Sequence, residues 1–191
     1  MKEKKELAQK IMLTFEKMST DVSQFQKESG LTCLEGCGKC CLNPETYATP
    51  LEFLPLALHL IEEGTAEVMW EKLSQTSQKS CLLYIANPEN PHQGRCGVYA
   101  FRPSLCRLFG ASGIQDKYGE MRLSVCHLIQ EDKKEIYQKD RDLKSIPSMT
   151  EAMQKLYEVH PNLAQGTKRM NEALKEMLEV LLLEQSLEGV N

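Results

Sequence analysis

The sequence predicts a mainly α fold, a helical domain with an irregular cysteine-rich centre and little β. Apolar residues recur at steps of three and four near both ends of the chain, the spacing of one buried helix face. Between those ends Pro, Gly and Asn accumulate and the periodicity fades, which breaks helix and strand alike. All eight cysteines fall in that irregular part, residues 33–126. A chain of 191 residues, 41% of them hydrophobic, is long enough for one domain spanning 1–191 with an apolar core of its own.

Residues 3–28 place Leu7, Ile11, Phe15, Met18, Val22 and Phe25 on one face of an amphipathic helix, and Gly30 is its expected stop. After the break at Asn43-Pro44, the run Thr49-Pro50-Leu51-Glu52 combines a capping residue, a proline suited to the first helical position and a glutamate able to close a capping box. The helix it opens should run from Pro50 to Glu63, with Gly64 ending it; Pro55 is its weak point, because a proline deeper in a helix removes an N–H donor. His59 on this helix is expected to be a packed or surface histidine. Residues 65–77 form a shorter helix around Val68, Met69, Trp70 and Leu73, with Trp70 as a core anchor.

From Ser80 to Gly110 the chain reads as irregular, including the loop Asn87-Pro88-Glu89-Asn90-Pro91-His92. Pro103 can open a short helix that carries Cys106. Gly110, Ser112 and Gly113 are expected to turn the chain, after which Met121, Leu123 and Val125 alternate as a short strand delivering Cys126. Glu131 to Lys144 reads as a solvated helix or linker, and Met149 to Val159 as a helix stopped by His160-Pro161. Residues 167–187 carry Met170, Leu174, Met177, Leu178, Leu181 and Leu182 at helical spacing. The flanking helical regions, 1–30 and 145–190, are expected to pack together.

The net charge is −4, with acids and bases mixed, so no basic stripe stands ready for phosphates and nucleic acid is not an expected partner. The opening MKEKKELAQK has no apolar core of a signal peptide, and no apolar run approaches the roughly 20 residues that span a bilayer. A cytoplasmic location without membrane contact is therefore expected. In that reducing compartment, eight cysteines read as metal ligands or reactive thiols rather than as disulfides, and the adjacent pair Cys40-Cys41 suits four disulfides poorly.

The stretch Cys33-Leu34-Glu35-Gly36-Cys37-Gly38-Lys39-Cys40-Cys41 packs four thiols into nine residues, with Gly36 and Gly38 allowing a tight fold. Thiolates at that density repel one another unless a cation neutralises them, and soft sulfur selects zinc, copper(I) or iron–sulfur over hard ions. With Cys81, Cys96, Cys106 and Cys126, two four-thiolate sites would use all eight. Three readings stay open. An iron–sulfur cluster is one, since the gaps from Cys33 to Cys37 and Cys40 occur in radical S-adenosylmethionine enzymes, although the alternating strands and helices of their barrel are missing. Structural Zn²⁺ is the second; it would staple distant loops and couple binding to folding. Metal-free thiol redox chemistry at Cys37-Gly38-Lys39-Cys40 is the third, without the βαβ context such motifs use. A four-thiolate site keeps negative charge, so the neighbouring Lys39, Arg102 and Arg107, with Arg95 close by, are candidate cofactor-binding cations. His127, beside Cys126, is a candidate extra ligand; His59, His92 and His160 are scattered and suggest no acid–base constellation.

The segments CLEGCGKCC, TPLE, CLLY and RCGVYAFRPSLCRLF together resemble the bacterial and archaeal cysteine-cluster family known as CxxCxxCC or YkgJ-like, with Cys126 matching a late cysteine. The gap from Cys33 to Cys37 is one residue longer than the family's name describes. The resemblance implies zinc or iron chelation through these cysteines in the cytoplasm. It also suggests an alternative, because flagellin lysine methylases carry a similar cysteine cluster in a much larger chain: a cluster-dependent enzyme acting on a protein partner by methyl or electron transfer.

Overall fold

The apolar stripe at the start of the chain folds as helix α1, Lys2–Ser29, burying Ile11, Phe15, Met18 and Phe25 and leaving Leu7 and Val22 half-buried at the border of that face. Gly30 ends it at φ 75°, with its N–H bonded to Gln26 O at 2.9 Å, a left-handed cap that costs no Cβ clash. This computed structural model describes residues 1–90, 93–137 and 146–188.

A single turn, α2 (Lys39–Leu42), and a two-residue strand, β1 (Tyr47–Ala48), lead to the expected helix start. The capping box forms, Glu52 accepting from Thr49 N at 2.7 Å. The chain first makes a 3₁₀ turn, Pro50–Phe53, and only then helix α3, Leu54–Glu62. That reset puts Pro55 in the first turn of α3, where its missing N–H costs no intrahelical bond, and it resolves the weak point of the sequence. Helix α4, Ala66–Gln75, buries only Ala66 and Leu73. Trp70 is not the expected core anchor: it is half-buried at the border with the last helix, where its indole N–H donates to Glu179 at 3.1 Å, because a ring with a polar edge settles where that edge finds a partner.

Strands β2 (Tyr84–Ala86) and β3 (Gly94–Cys96) pair antiparallel with Tyr84 opposite Cys96, in a stretch that the sequence showed as irregular. Pro91 and His92, between them, lie outside the described residues. Helix α5 (Ser104–Leu108) begins directly after Pro103 and carries Cys106, as expected. The expected turn at Gly110 to Gly113 is instead largely strand: β4 (Ala111–Gln115) pairs antiparallel with β5 (Met121–Val125). Tertiary contact overrides the local turn signal there. Gly113 N–H donates to Pro147 O at 2.7 Å, and a Cβ at Gly113 would stand 2.3 Å from the Met121 sulfur. Strand β5 delivers Cys126 to the start of α6, His127–Asp132. After α7 (Lys134–Tyr137) the charged segment through Lys144 lies outside the described residues, as do 145 and 189–190 of the expected flanking region. Helix α8 spans Met149–Val159, capped by Ser148, whose Oγ accepts from Glu151 N at 3.2 Å. Strand β6 (Lys168–Arg169) pairs with β1, and α9 (Met170–Glu188) closes the chain.

Helix α1 packs on α3, α5 and α8, while α9 packs on α4, α3 and the 3₁₀ turn. The first and last helices thus share α3 as a common neighbour and are linked by ion pairs, Met1 N to Glu188 at 3.3 Å and Lys4 to Glu184 at 3.2 Å. A smaller apolar cluster of Phe25, Leu31, Ala111, Val125 and Ile129 joins the end of α1 to the β4–β5 hairpin and α6. None of the helices is long and apolar enough to cross a membrane, among the described residues.

Candidate metal centre

Backbone pairing, segment by segment, brings the cysteines together. Cys37 forms an antiparallel bridge with Gln93, and Gly94 N–H donates to Gly36 O at 3.0 Å. Cys81 N–H donates to Cys41 O at 2.9 Å, and Gly97 N–H to Leu83 O at 2.8 Å, beside the β2–β3 pairing that carries Cys96. From α9, Asn171 locks the segment by accepting from Leu82 N at 2.9 Å and donating to Ser80 O at 2.9 Å. Sequence reasoning missed Asn171; its one signal was a polar residue beside the apolar stripe. Gly36 takes φ 68°, as a tight turn requires. Gly38 has another reason to be glycine: a Cβ there would stand 2.3 Å from the Tyr84 ring, which also lies against Gly94.

Cys33, Cys37, Cys40, Cys41, Cys81, Cys96 and Cys106 all line one cavity of about 650 Å³. Cys126 does not line it and packs beside the smaller apolar cluster, held by its N–H to Gly110 O at 2.6 Å. All eight are free thiols. Among the described residues no three His, Cys, Asp or Glu side chains form, as they stand, a group that could hold a metal ion.

The thiols titrate unequally. Cys41 donates its proton to the Cys40 sulfur, which holds Cys40 below the ordinary thiol value and Cys41 well above it, with the Arg102 charge also favouring the Cys40 thiolate. Burial pushes Cys81 up to about 11, and burial, reinforced by the Cys40 and Cys81 charges, raises Cys106 strongly. Burial also raises Cys96, against the pull of a backbone hydrogen bond and of Arg102. Burial first, then the charges of Cys37 and Cys40, push Cys33 up to about 11, with Cys126 adding to the rise.

The cations divide as well. Arg107 is almost fully buried and committed: it donates to Arg102 O at 2.7 Å, Ser19 Oγ at 2.6 Å and Ala100 O at 2.5 Å, with its plane 4.6 Å above the Phe15 ring. Burial, and then the like charge of Arg102, lowers its own value to about 10. Arg102 donates to Cys106 O at 3.3 Å, lies 3.5 Å from the Tyr99 ring centroid, and keeps a buried Nε with no hydrogen-bond partner. Both line the cavity, and so does the exposed Arg95. Lys39 does not; it is exposed on α2. His127 is exposed at the start of α6 and does not line the cavity either. His59 stacks on Phe101 at 4.9 Å, and His160 accepts from Leu163 N at 3.2 Å, so both have packing roles. His92 lies outside the described residues.

Residues 32–139 match the family described as "CxxCxxCC: Putative zinc- or iron-chelating domain". The chain belongs to this family. No curated protein and no solved structure matches the chain. The CxxCxxCC match covers every one of the eight cysteines and the whole lining of the cavity except Ser19, Val22, Ser23, Gln26 and Met170. The donor set suits the ions in the family's description. Sulfur dominates, no carboxylate stands among the described lining residues, and the orphaned Nε of Arg102 is a donor in search of an anionic acceptor.

Proposed function

We propose that the chain holds a thiolate-ligated metal centre, an iron–sulfur cluster or Zn²⁺, in this cavity, with Cys40, Cys81, Cys96 and Cys106 as its principal ligands and Cys33, Cys37 and Cys41 within the same enclosure. The observation that carries the reading is the convergence of seven thiols, from segments as far apart as Cys33 and Cys106, on one carboxylate-free cavity. Arg102 supplies the charge that favours thiolate at Cys40 and Cys96, and its unpartnered Nε gives a donor for sulfur. Since no three donors among the described residues form a ready group, ligation requires the thiols to turn toward a shared centre, so loading and local ordering are coupled. A bound cluster would carry electrons, whereas zinc would act as a staple or a Lewis acid. Cys126 packs against the smaller apolar cluster, outside this cavity, and is left out of the proposed ligand set. A reducing cytoplasm suits eight free thiols.

Anaerobic purification followed by elemental analysis tests this reading. Iron–sulfur protein is brown, with absorbance near about 400 nm, and zinc protein is colourless. Neither metal at stoichiometric level removes the proposal. A second reading, a cluster-dependent enzyme transferring a methyl group or an electron to a protein substrate, is favoured by one observation: the cavity wall includes exposed Cys33, Leu34 and Tyr99, so the site is open rather than sealed.

A further inference from the structure

We propose that this cavity also binds a small organic oxyanion, a molecule bearing a carboxylate or phosphate group, between Arg95 and Arg102. The inference goes beyond the thiolate site and shares its enclosure. Charge is the first observation. The chain has 27 acidic and 23 basic residues, yet the cavity lining holds three arginines and, among the described residues, no carboxylate. Such a sorting of charge in an acidic protein makes a local field that favours anions.

Availability is the second. The guanidinium of Arg107 is occupied by three acceptors. The Arg95 side chain makes no hydrogen bond or ion pair among the described residues, its backbone being paired with Ile85 in the β2–β3 ladder, and the Arg102 side chain donates to a single carbonyl while the Tyr99 ring holds its plane. A guanidinium fixed by stacking, with donors to spare, is suited to the paired bonds that carboxylate and phosphate accept.

Size is the third. One ion needs on the order of a water molecule's share of volume, ~30 Å³. The cavity offers about 650 Å³, within the roughly 300–1,000 Å³ of small-molecule sites. Leu34, Tyr99 and Phe109, exposed by 38%, 64% and 36%, give its wall apolar surface for the body of the ligand.

The test is calorimetric titration of the purified full chain, its metal content measured first, with succinate and with inorganic phosphate at constant ionic strength. Saturable one-to-one binding of either probe is expected, weakened about tenfold by Arg95→Gln and unchanged by Lys27→Gln, which removes the same charge from the exposed face of α1 outside the cavity. Succinate alone marks a carboxylate ligand, and phosphate alone a phosphate ligand. Absence of saturable binding overturns the inference, and so does equal weakening by both substitutions, which would mean that binding follows the overall charge of the chain rather than a site at Arg95. Metal-free protein would count against the proposed metal centre alone, and the same titration on it would still decide the oxyanion site.

Discussion

Arg102 and Arg107 stand five residues apart in one motif, and the sequence assigned them one role, as cations beside sulfur. The structure separates them by what each guanidinium touches. Arg107 bridges α1 to the 99–107 segment through Ser19 and two carbonyls, so Arg107→Met should cost about 2 kcal/mol or more of unfolding free energy in urea, while leaving the metal absorption in place. Arg102→Met should do the reverse: a small loss of stability with a shifted charge-transfer band or reduction potential, measured on the loaded protein. Equal effects of the two substitutions on the spectrum would refute the division. The thiols add a pH prediction. A raised value means that the folded chain holds those protons more tightly than the unfolded chain, so the contribution of Cys81 to the metal-free fold is complete below about 9 and is lost as pH rises through about 11. Metal-free protein should therefore melt at progressively lower temperature between those limits, and metal uptake at neutral pH should release protons, seen as a dependence of the binding heat on buffer ionisation enthalpy. All eight cysteines were legible from sequence, being chemically unmistakable. Which of them share a cavity was not, because that depends on pairings such as Cys41 with Cys81 that leave no mark in either segment.

Among the elements, the long helices were legible and the short strands were not. Helices α1, α8 and α9 show three to five turns of apolar spacing, with Gly30 closing α1 and Ser148 capping α8. Strands β2 and β3 have three residues each, too few for alternation to show, and the Tyr84 ring packs close against both Gly38 and Gly94. Gly94→Ala would put a Cβ 2.3 Å from Ile85 O, a backbone atom that cannot swing aside, and overpacking of this kind costs about 1–3 kcal/mol. The substitution should lower both the melting temperature and the metal content, since Cys96 lies two residues on; unchanged metal content would show that β3 does not position it. The capping box was read correctly, but only half of its purpose was visible. Glu52 is 2% exposed, and its second oxygen accepts from Ser104 N at 2.7 Å, joining the start of α3 to the helix that carries Cys106. Glu52→Gln keeps the shape and turns one acceptor into a donor, leaving an N–H unmet at a cost of about 1–3 kcal/mol in urea unfolding. A change under about 0.5 kcal/mol, the scale of an unremarkable surface substitution, would show that the bridge is dispensable.

For the molecule as a whole, the question is whether the metal assembles the fold or the fold presents the thiols. The zinc reading of the sequence favoured the former, with solitary cysteines stapled by an ion. The structure favours the latter. The α1, α3, α4, α8 and α9 core is apolar and continuous without any thiol at its centre, and Cys81 and Cys106 only border it. The cysteine segments are tied by backbone bonds, by Asn171 and by Glu52, none of which needs an ion. What the fold leaves unfinished is local, since no three donors among the described residues form a ready group. Chelation of the metal should therefore leave far-ultraviolet helicity close to that of the loaded protein, while amide hydrogen exchange rises in 33–41 and 81–97 and stays slow in α1 and α9. Collapse of helicity on chelation would mean that the apolar core does not stand alone, and would restore the ion as the organiser of the fold.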